Sequence, residues 1–196
     1  DAEVMHALGI EADSLSQIAE PDKTFHQLLP AYAMRWPQLS EARLFPPIGD
    51  GAANSIGAGC HSKDKLALMI GTSGALRVCF AGEPPVSLPP ALWCYRANRE
   101  RVLIGGALSD GGGLFTWLAN SLLSNTDAET IETELELVQP DAHGLTVLPF
   151  WNGERSTGWN PEARGLIFGL NSRTRPIEIL RAAVEAIAYR FALIAD

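Results

Sequence analysis

Asp50 stands between two glycines in FPPIGDGAANSIGAGC, which runs from Phe45 to Cys60. A carboxylate is costly to bury and glycine weakens regular structure, so the placement needs a reason. Either Asp50 caps a helix built on the small residues after it, or the chain holds a carboxylate open to close approach. An approachable carboxylate can act as a general base, taking the proton of a hydroxyl about to attack. A second stretch, Gly71-Thr72-Ser73-Gly74, joins two apolar runs. Glycine-permitted turns can point several N–H groups into one concavity, with two hydroxyls beside them, and such a nest binds phosphate oxygens. An ordinary hairpin turn accounts for the same four residues. A third stretch, GGALSDGGGLFTWL, sets Gly111–Gly113 directly before a helical pattern. There the amide dipoles favour an anion and glycine admits close contact; the alternative is a flexible turn capped by Asp110. In NGERSTGW, Glu154 and Arg155 read as an ion pair that shapes a loop.

Other chemistries fail on spacing. GTSGA misses the hydrolase elbow GxSxG at its fifth position, and a hairpin is the wrong context for it. GDGAAN carries Asn54 where the dinucleotide fingerprint needs its third glycine, and no GxxxxGK[ST] occurs. Cys60, Cys79 and Cys94 are odd in number and irregularly spaced, which fits a reducing cytoplasm and no disulfide framework. Cys60 next to His61 is poor geometry for a shared metal, and there is no CxxC. His6 and His26 read as surface residues. A net charge of −8 with no basic face excludes a general nucleic-acid binder. No apolar run approaches the ~18 residues of a membrane span, and no signal-peptide pattern opens the chain.

Several elements must position these groups. With 46% hydrophobic and 19% charged residues the chain reads as globular, one domain or pieces of two. The first forty residues are short amphipathic pieces broken by prolines. ARLFPPIGD reads as an edge strand. Leu66–Ile70 and Ala75–Phe80 flank the GTSG turn as a hairpin. Residues 81–100 form a Pro-rich excursion, and RVLIGGAL is a further strand. LFTWLANSLL predicts a helix with Leu114, Trp117, Leu118 and Leu122 on its buried face. Residues 124–141 predict a polar surface helix, and GLTVLPFW and GLIFGL two strands around a long loop. A final helix begins at Thr174 and Pro176 and carries an apolar stripe, Ile177, Leu180, Val184, Ile187, Phe191 and Ile194. The stripe needs something to pack on, and the expectation is an internal piece of a longer protein.

Taken together, these segments resemble the FGGY family of carbohydrate kinases, in the actin-like ATPase superfamily. GDGAANSIGAG looks like the segment with the family's catalytic aspartate, IGTSGALR like its phosphate hairpin, and GGALSDGGGLFTWL like the glycine–helix segment near the nucleotide. GLIFGLNSRTRPIEILRAAVE, Gly165 to Glu185, fits the family's second signature through Gly169, Leu170, Glu178 and the run Ala182-Ala183-Val184-Glu185.

The resemblance implies an α/β, actin-like (ribonuclease H-like) fold, present in part. Residues 1–60 would be the tail of a first actin-like domain and 64–196 the opening half of a second. It implies a cytoplasmic kinase using ATP and Mg²⁺ on a small sugar, without nucleic-acid or membrane partners and compatible with a homo-oligomer. Asp50 would be the base, and Asp50 and Gly51 would meet the sugar, with Gly49 and Gly51 letting it approach. Gly71, Thr72, Ser73, Gly74, Gly112 and Thr116 would meet the nucleotide. Xylulose kinases of the family usually carry Asn or Gln after the base. Gly51 and the SGALR after the hairpin look more like the gluconate-kinase branch, so the expected acceptor is gluconate or a related sugar acid. The alternatives are a xylulose or other pentulose kinase and a non-catalytic actin-like nucleotide-binding module.

Overall fold

The computed structural model describes residues 2–20, 22–26 and 28–196. The chain divides into two units, Asp1–Gly49 and Asp50–Asp196. In the first, α1 (Ala2–Leu8) and α2 (Pro30–Arg35) bury none of their residues. The proline-broken stretch around Pro21 lies partly outside the described residues. No strand forms over ARLFPPIGD: Leu44 makes a single bridge to Phe25, and Pro46 and Pro47 have no N–H with which to continue a ladder.

The second unit opens with α3 (Asp50–Gly57), then builds a four-stranded antiparallel sheet. Its strands are β1 (Leu66–Ile70), β2 (Gly74–Ala81), β3 (Trp93–Arg96) and β4 (Arg101–Leu108), in the order β1-β2-β4-β3. The hairpin forms as expected, with Ile70 opposite Gly74. β3 was not foreseen: it lies inside the Pro-rich excursion and pairs with β4. After the sheet come α4 (Gly112–Leu122), α5 (Ala128–Leu137), the two-stranded β5 (Thr146–Leu148) and β6 (Leu166–Phe168), and α6 (Pro176–Ala195).

Alternation along the strands sorts side chains onto two faces. On one, Leu76 and Leu108 join Leu114 and Leu118 of α4, Ile131 of α5, Val147 of β5 and the buried stripe of α6 in one core. On the other, Ala52 of α3 packs with Cys79 and Leu103. The glycine pair in β4 serves both faces. A Cβ on Gly106 would lie 2.8 Å from Ile194 of α6, and one on Gly105 would lie 3.1 Å from the Arg77 Cα.

Two expectations for the helices change. On α4, Leu114 and Leu118 are buried, but Trp117 is 53% exposed and Leu122 is exposed too. Trp117 instead tilts against Trp151, ring centres 5.8 Å apart. The α6 stripe is largely covered within the unit, since only Val184 of the six expected residues is exposed.

Candidate active site

Asp50 is the first residue of α3, and its carboxylate is exposed. The Gly51 N–H donates to Asp50 Oδ1 at 2.7 Å, so the side chain satisfies one of the free amides of the first turn. Asp50 is thus not the N-cap residue itself, but its carboxylate is both exposed and bonded to a first-turn amide. Gly51 itself is buried, and the room it leaves is filled by protein. A Cβ there would lie 2.6 Å from the Tyr95 hydroxyl and 3.0 Å from Arg77 Nε. The close approach expected for a sugar at Gly51 is therefore made, on that side, by Tyr95 and Arg77.

Sheet register explains how those side chains reach α3. Arg77 on β2, Gly105 on β4 and Trp93 on β3 form one row across the sheet. Because Gly105 has no side chain, the Arg77 guanidinium extends over it toward the Trp93 ring, 6.0 Å from its centre. Trp93 and Tyr95 sit on the same face with stacked rings 5.1 Å apart. Burial pushes the Tyr95 phenol up; the Arg77 cation opposes that shift and the Asp50 carboxylate adds to it. Tyr95 thus keeps its proton at neutral pH. A cavity of about 330 Å³ opens along this face, from Ser73 and Ala75 past Arg77, Trp93 and Tyr95 to Arg155.

The turn between β1 and β2 is bound to the start of α4. The Gly112 N–H donates to the Gly71 carbonyl (2.8 Å), and the N–H groups of Gly111 and Gly113 donate to the Thr72 carbonyl (3.0 and 3.1 Å). The helix-start amides expected to face an anion are thus taken up by the hairpin. The glycines are there for contact: a Cβ on Gly112 would lie 2.9 Å from the Gly71 carbonyl oxygen. Asp110 does not cap the helix. It is buried and accepts two bonds from Asn152, through the backbone N–H (3.0 Å) and Nδ2 (2.6 Å).

A second cavity, about 600 Å³, lies beside this junction and is lined by Gly71, Thr72, Gly112, Thr116, Trp117 and Asn120 among others. Ser73 and Gly74 face the first cavity instead. The Thr116 hydroxyl donates to the Gly112 carbonyl at 3.0 Å. The expected Glu154–Arg155 ion pair does not form. Glu154 pairs with Arg190 of α6, whose guanidinium also donates to the Ser156 carbonyl at 2.9 Å. Arg155 is left exposed at the mouth of the first cavity, without a charged partner among the described residues.

Sequence reasoning missed Arg77, Trp93 and Tyr95. The signal was present in WCYR, where two aromatics alternate with other residues at strand spacing, but prolines upstream concealed it. Among the described residues no group of three His, Cys, Asp or Glu could hold a metal ion, and no helix is long and apolar enough to cross a membrane.

Comparison with known proteins places this geometry. Residues 66–196 match the profile of the FGGY family of carbohydrate kinases, C-terminal domain. The gluconokinase of Bacillus subtilis (strain 168) is 28% identical over 199 residues, covering 96% of this chain and 39% of that protein. The crystal structure of gluconate kinase from Lactobacillus acidophilus superposes with a TM-score of 0.88 at 28% identity, covering 100% of this chain and 40% of the other. Ligand-bound xylulose kinase from the same organism gives 0.87 at 28% identity, covering 98% and 40%. The chain therefore spans about two fifths of the length of these relatives. Its α/β arrangement is a partial actin-like fold.

Proposed function

The chain belongs to the FGGY family of carbohydrate kinases, and from that premise we propose that it forms part of the catalytic cleft of an ATP-dependent sugar kinase. The reaction is transfer of the γ-phosphoryl group to a hydroxyl of gluconate or a related sugar acid. Asp50 takes the hydroxyl proton as the oxygen attacks phosphorus. ATP, when bound, supplies the phosphoryl group, and ADP leaves with the electron pair of the broken P–O bond. Gly71, Thr72, Gly112 and Thr116, which line the cavity beside the β1–β2 turn, hold and orient the nucleotide phosphates. Ser73 and Gly74 face the other cavity. Asp50 stands on the acceptor side, with Gly51 packed against Tyr95 and Arg77.

One observation carries this reading. A single unit presents an exposed carboxylate at the head of α3 and, beside the β1–β2 turn, a cavity lined by three glycines and two threonines together with Ile70, Trp117 and Asn120. That cavity fits a polyphosphate, because no acidic residue lines it among the described residues and a Cβ at Gly71 would meet nothing closer than 4.0 Å. Mg²⁺ is implied by the family's chemistry. The described residues offer it no group of three His, Cys, Asp or Glu side chains.

A pentulose kinase is the second reading, supported by the comparable likeness to the Lactobacillus acidophilus xylulose kinase. A non-catalytic nucleotide-binding module has no use for the exposed Asp50. In the full-length protein, Asp50→Asn is expected to lower turnover by about 10²-fold or more while leaving ATP affinity and the melting temperature in place. A coupled ADP-release assay beside nucleotide titration makes the test; near-normal turnover removes Asp50 from the mechanism.

A further inference from the structure

The cavity on the α3 face of the sheet has two cations, Arg77 and Arg155, and no carboxylate in its lining among the described residues. Arg77 is the informative one. Its Nε and Nη1 are buried and have no hydrogen-bond partner. The Trp93 ring face eases the charge of the cation but offers no acceptor in the guanidinium plane, where the N–H groups point.

Other guanidiniums in the unit show what is missing. Arg96, Arg164, Arg175, Arg181 and Arg190 each pair with a glutamate. Arg190 also has an unpartnered Nε, but Glu154 balances its charge and the Ser156 carbonyl takes one of its N–H groups. Asp50, which like Arg77 acts electrostatically on Tyr95, forms no ion pair with Arg77; its carboxylate accepts from the Gly51 N–H. Two buried guanidinium nitrogens without an acceptor are costly on a half-buried side chain, and a planar fork of N–H donors matches a carboxylate in shape and charge.

The surroundings are built around the fork. Gly105 makes room for the Arg77 side chain to cross β4, and Gly51 makes room for the guanidinium and the Tyr95 hydroxyl beneath α3. The Trp93–Tyr95 pair gives an apolar wall for the C–H face of a polyol, and Tyr95 adds an O–H donor. We infer that Arg77, from β2, is a specificity-determining residue that receives the carboxylate of an anionic acceptor, with Arg155 as the second cation at the cavity mouth. The acceptor class is a polyhydroxy acid rather than a neutral sugar. The identity of the acceptor rests on the kinase reading; the anion site itself does not.

The experiment compares D-gluconate with its neutral counterpart D-glucitol on the full-length protein. Binding is followed by calorimetry without nucleotide, and transfer by ADP release with ATP. The unaltered protein is expected to prefer the acid in both measurements. Arg77→Met is expected to lower the ratio of acid to neutral kcat/KM by about 10²-fold, as loss of one partner of a buried charged hydrogen-bonded pair does. The ATP KM is expected to stay where it was. Arg77→Lys, which keeps the charge without the fork, should recover part of the preference, and Arg155→Gln should lose a smaller share. If Arg77→Met does not fold, the Lys and Gln variants decide on the same ratio.

Equal affinity of the unaltered protein for gluconate and glucitol overturns the inference. So does an Arg77 variant that slows both acceptors alike or raises only the ATP KM. If the protein binds gluconate through Arg77 but releases no ADP with any polyol, the anion site stands and the phosphotransfer reading falls. If it phosphorylates a neutral polyol and the Arg77 variants keep the unaltered ratio, phosphotransfer stands and the anion site falls.

Discussion

At the scale of single residues, the two glycines of the β1–β2 turn separate by what lies behind them. A Cβ at Gly74 would run into the Phe191 ring of α6, whereas one at Gly71 would meet only open cavity. Neither position has a positive φ, so contact alone decides. Gly74→Val is expected to overpack the core and cost about 1–3 kcal/mol whatever ligand is present, seen as a lower denaturation midpoint. Gly71→Val should instead leave the midpoint nearly unchanged and weaken ATP binding, read by nucleotide titration of the full-length protein. Equal ATP affinity in that variant would move the phosphates away from this turn.

At the scale of elements, the signature that marks the family is a set of structural ties. Glu178 accepts from the Arg175 N–H at 2.8 Å and closes the first turn of α6. Glu185, two turns on, accepts from the Asp141 N–H (3.1 Å), Arg181 Nε (2.6 Å) and His143 Nε2 (3.2 Å). Because the Leu145 N–H donates to His143 Nδ1, the neutral ring already carries its proton on Nε2. Burial alone would raise the Glu185 carboxyl, but the Asp141 N–H and the Arg181 and His143 contacts together hold it below the usual range. Stability from a depressed carboxyl is complete above its unfolded-state pKa and fades as pH falls through the lower folded value. Glu185→Gln is therefore expected to destabilise the unit at pH 7 by about 1–3 kcal/mol, with the gap from the unaltered protein closing as pH falls below about 4. Denaturant unfolding across that range checks it; a gap that persists unchanged in acid assigns the loss to shape and not to charge.

At the scale of the whole molecule, the apolar surface left uncovered is not where the α6 pattern points. Leu180 is fully buried, and most of the stripe packs on the sheet and on α4 and α5. Within the second unit an open patch lies along β1, where Leu66, Leu68 and Ile70 are each more than half exposed. Beside it an apolar cavity of about 450 Å³ is bounded by Leu68, Ile70, Phe115, Val184 and Phe191. β1 is also an edge strand, with a row of backbone groups that a second chain can pair with. The 196-residue chain by itself is expected to self-associate and to show no sugar-kinase activity. Light scattering and ADP release with gluconate test this, and Leu68→Lys should reduce the association by charging the edge. A monomer that phosphorylates gluconate would overturn the expectation that this chain supplies only part of the cleft.

What the sequence determined by itself was local. Turn chemistry located the hairpin at Gly71–Gly74, the three- and four-residue spacing located α6, and glycines before LFTWL located the start of α4. Asp50 was legible because a carboxylate between glycines is unusual without a purpose. The rest depended on residues distant in the chain. Arg77 and Trp93 meet only because β2, β4 and β3 align in one register with Gly105 between them. Glu154 pairs with Arg190, not with its neighbour, because α6 returns beside the loop. The Gly111–Gly113 amides face the hairpin because α4 begins against it. Periodicity and turn preference act over a few bonds and can be read along the chain, whereas cross-strand rows, ion pairs and cavity walls are fixed only when tertiary packing sets the register.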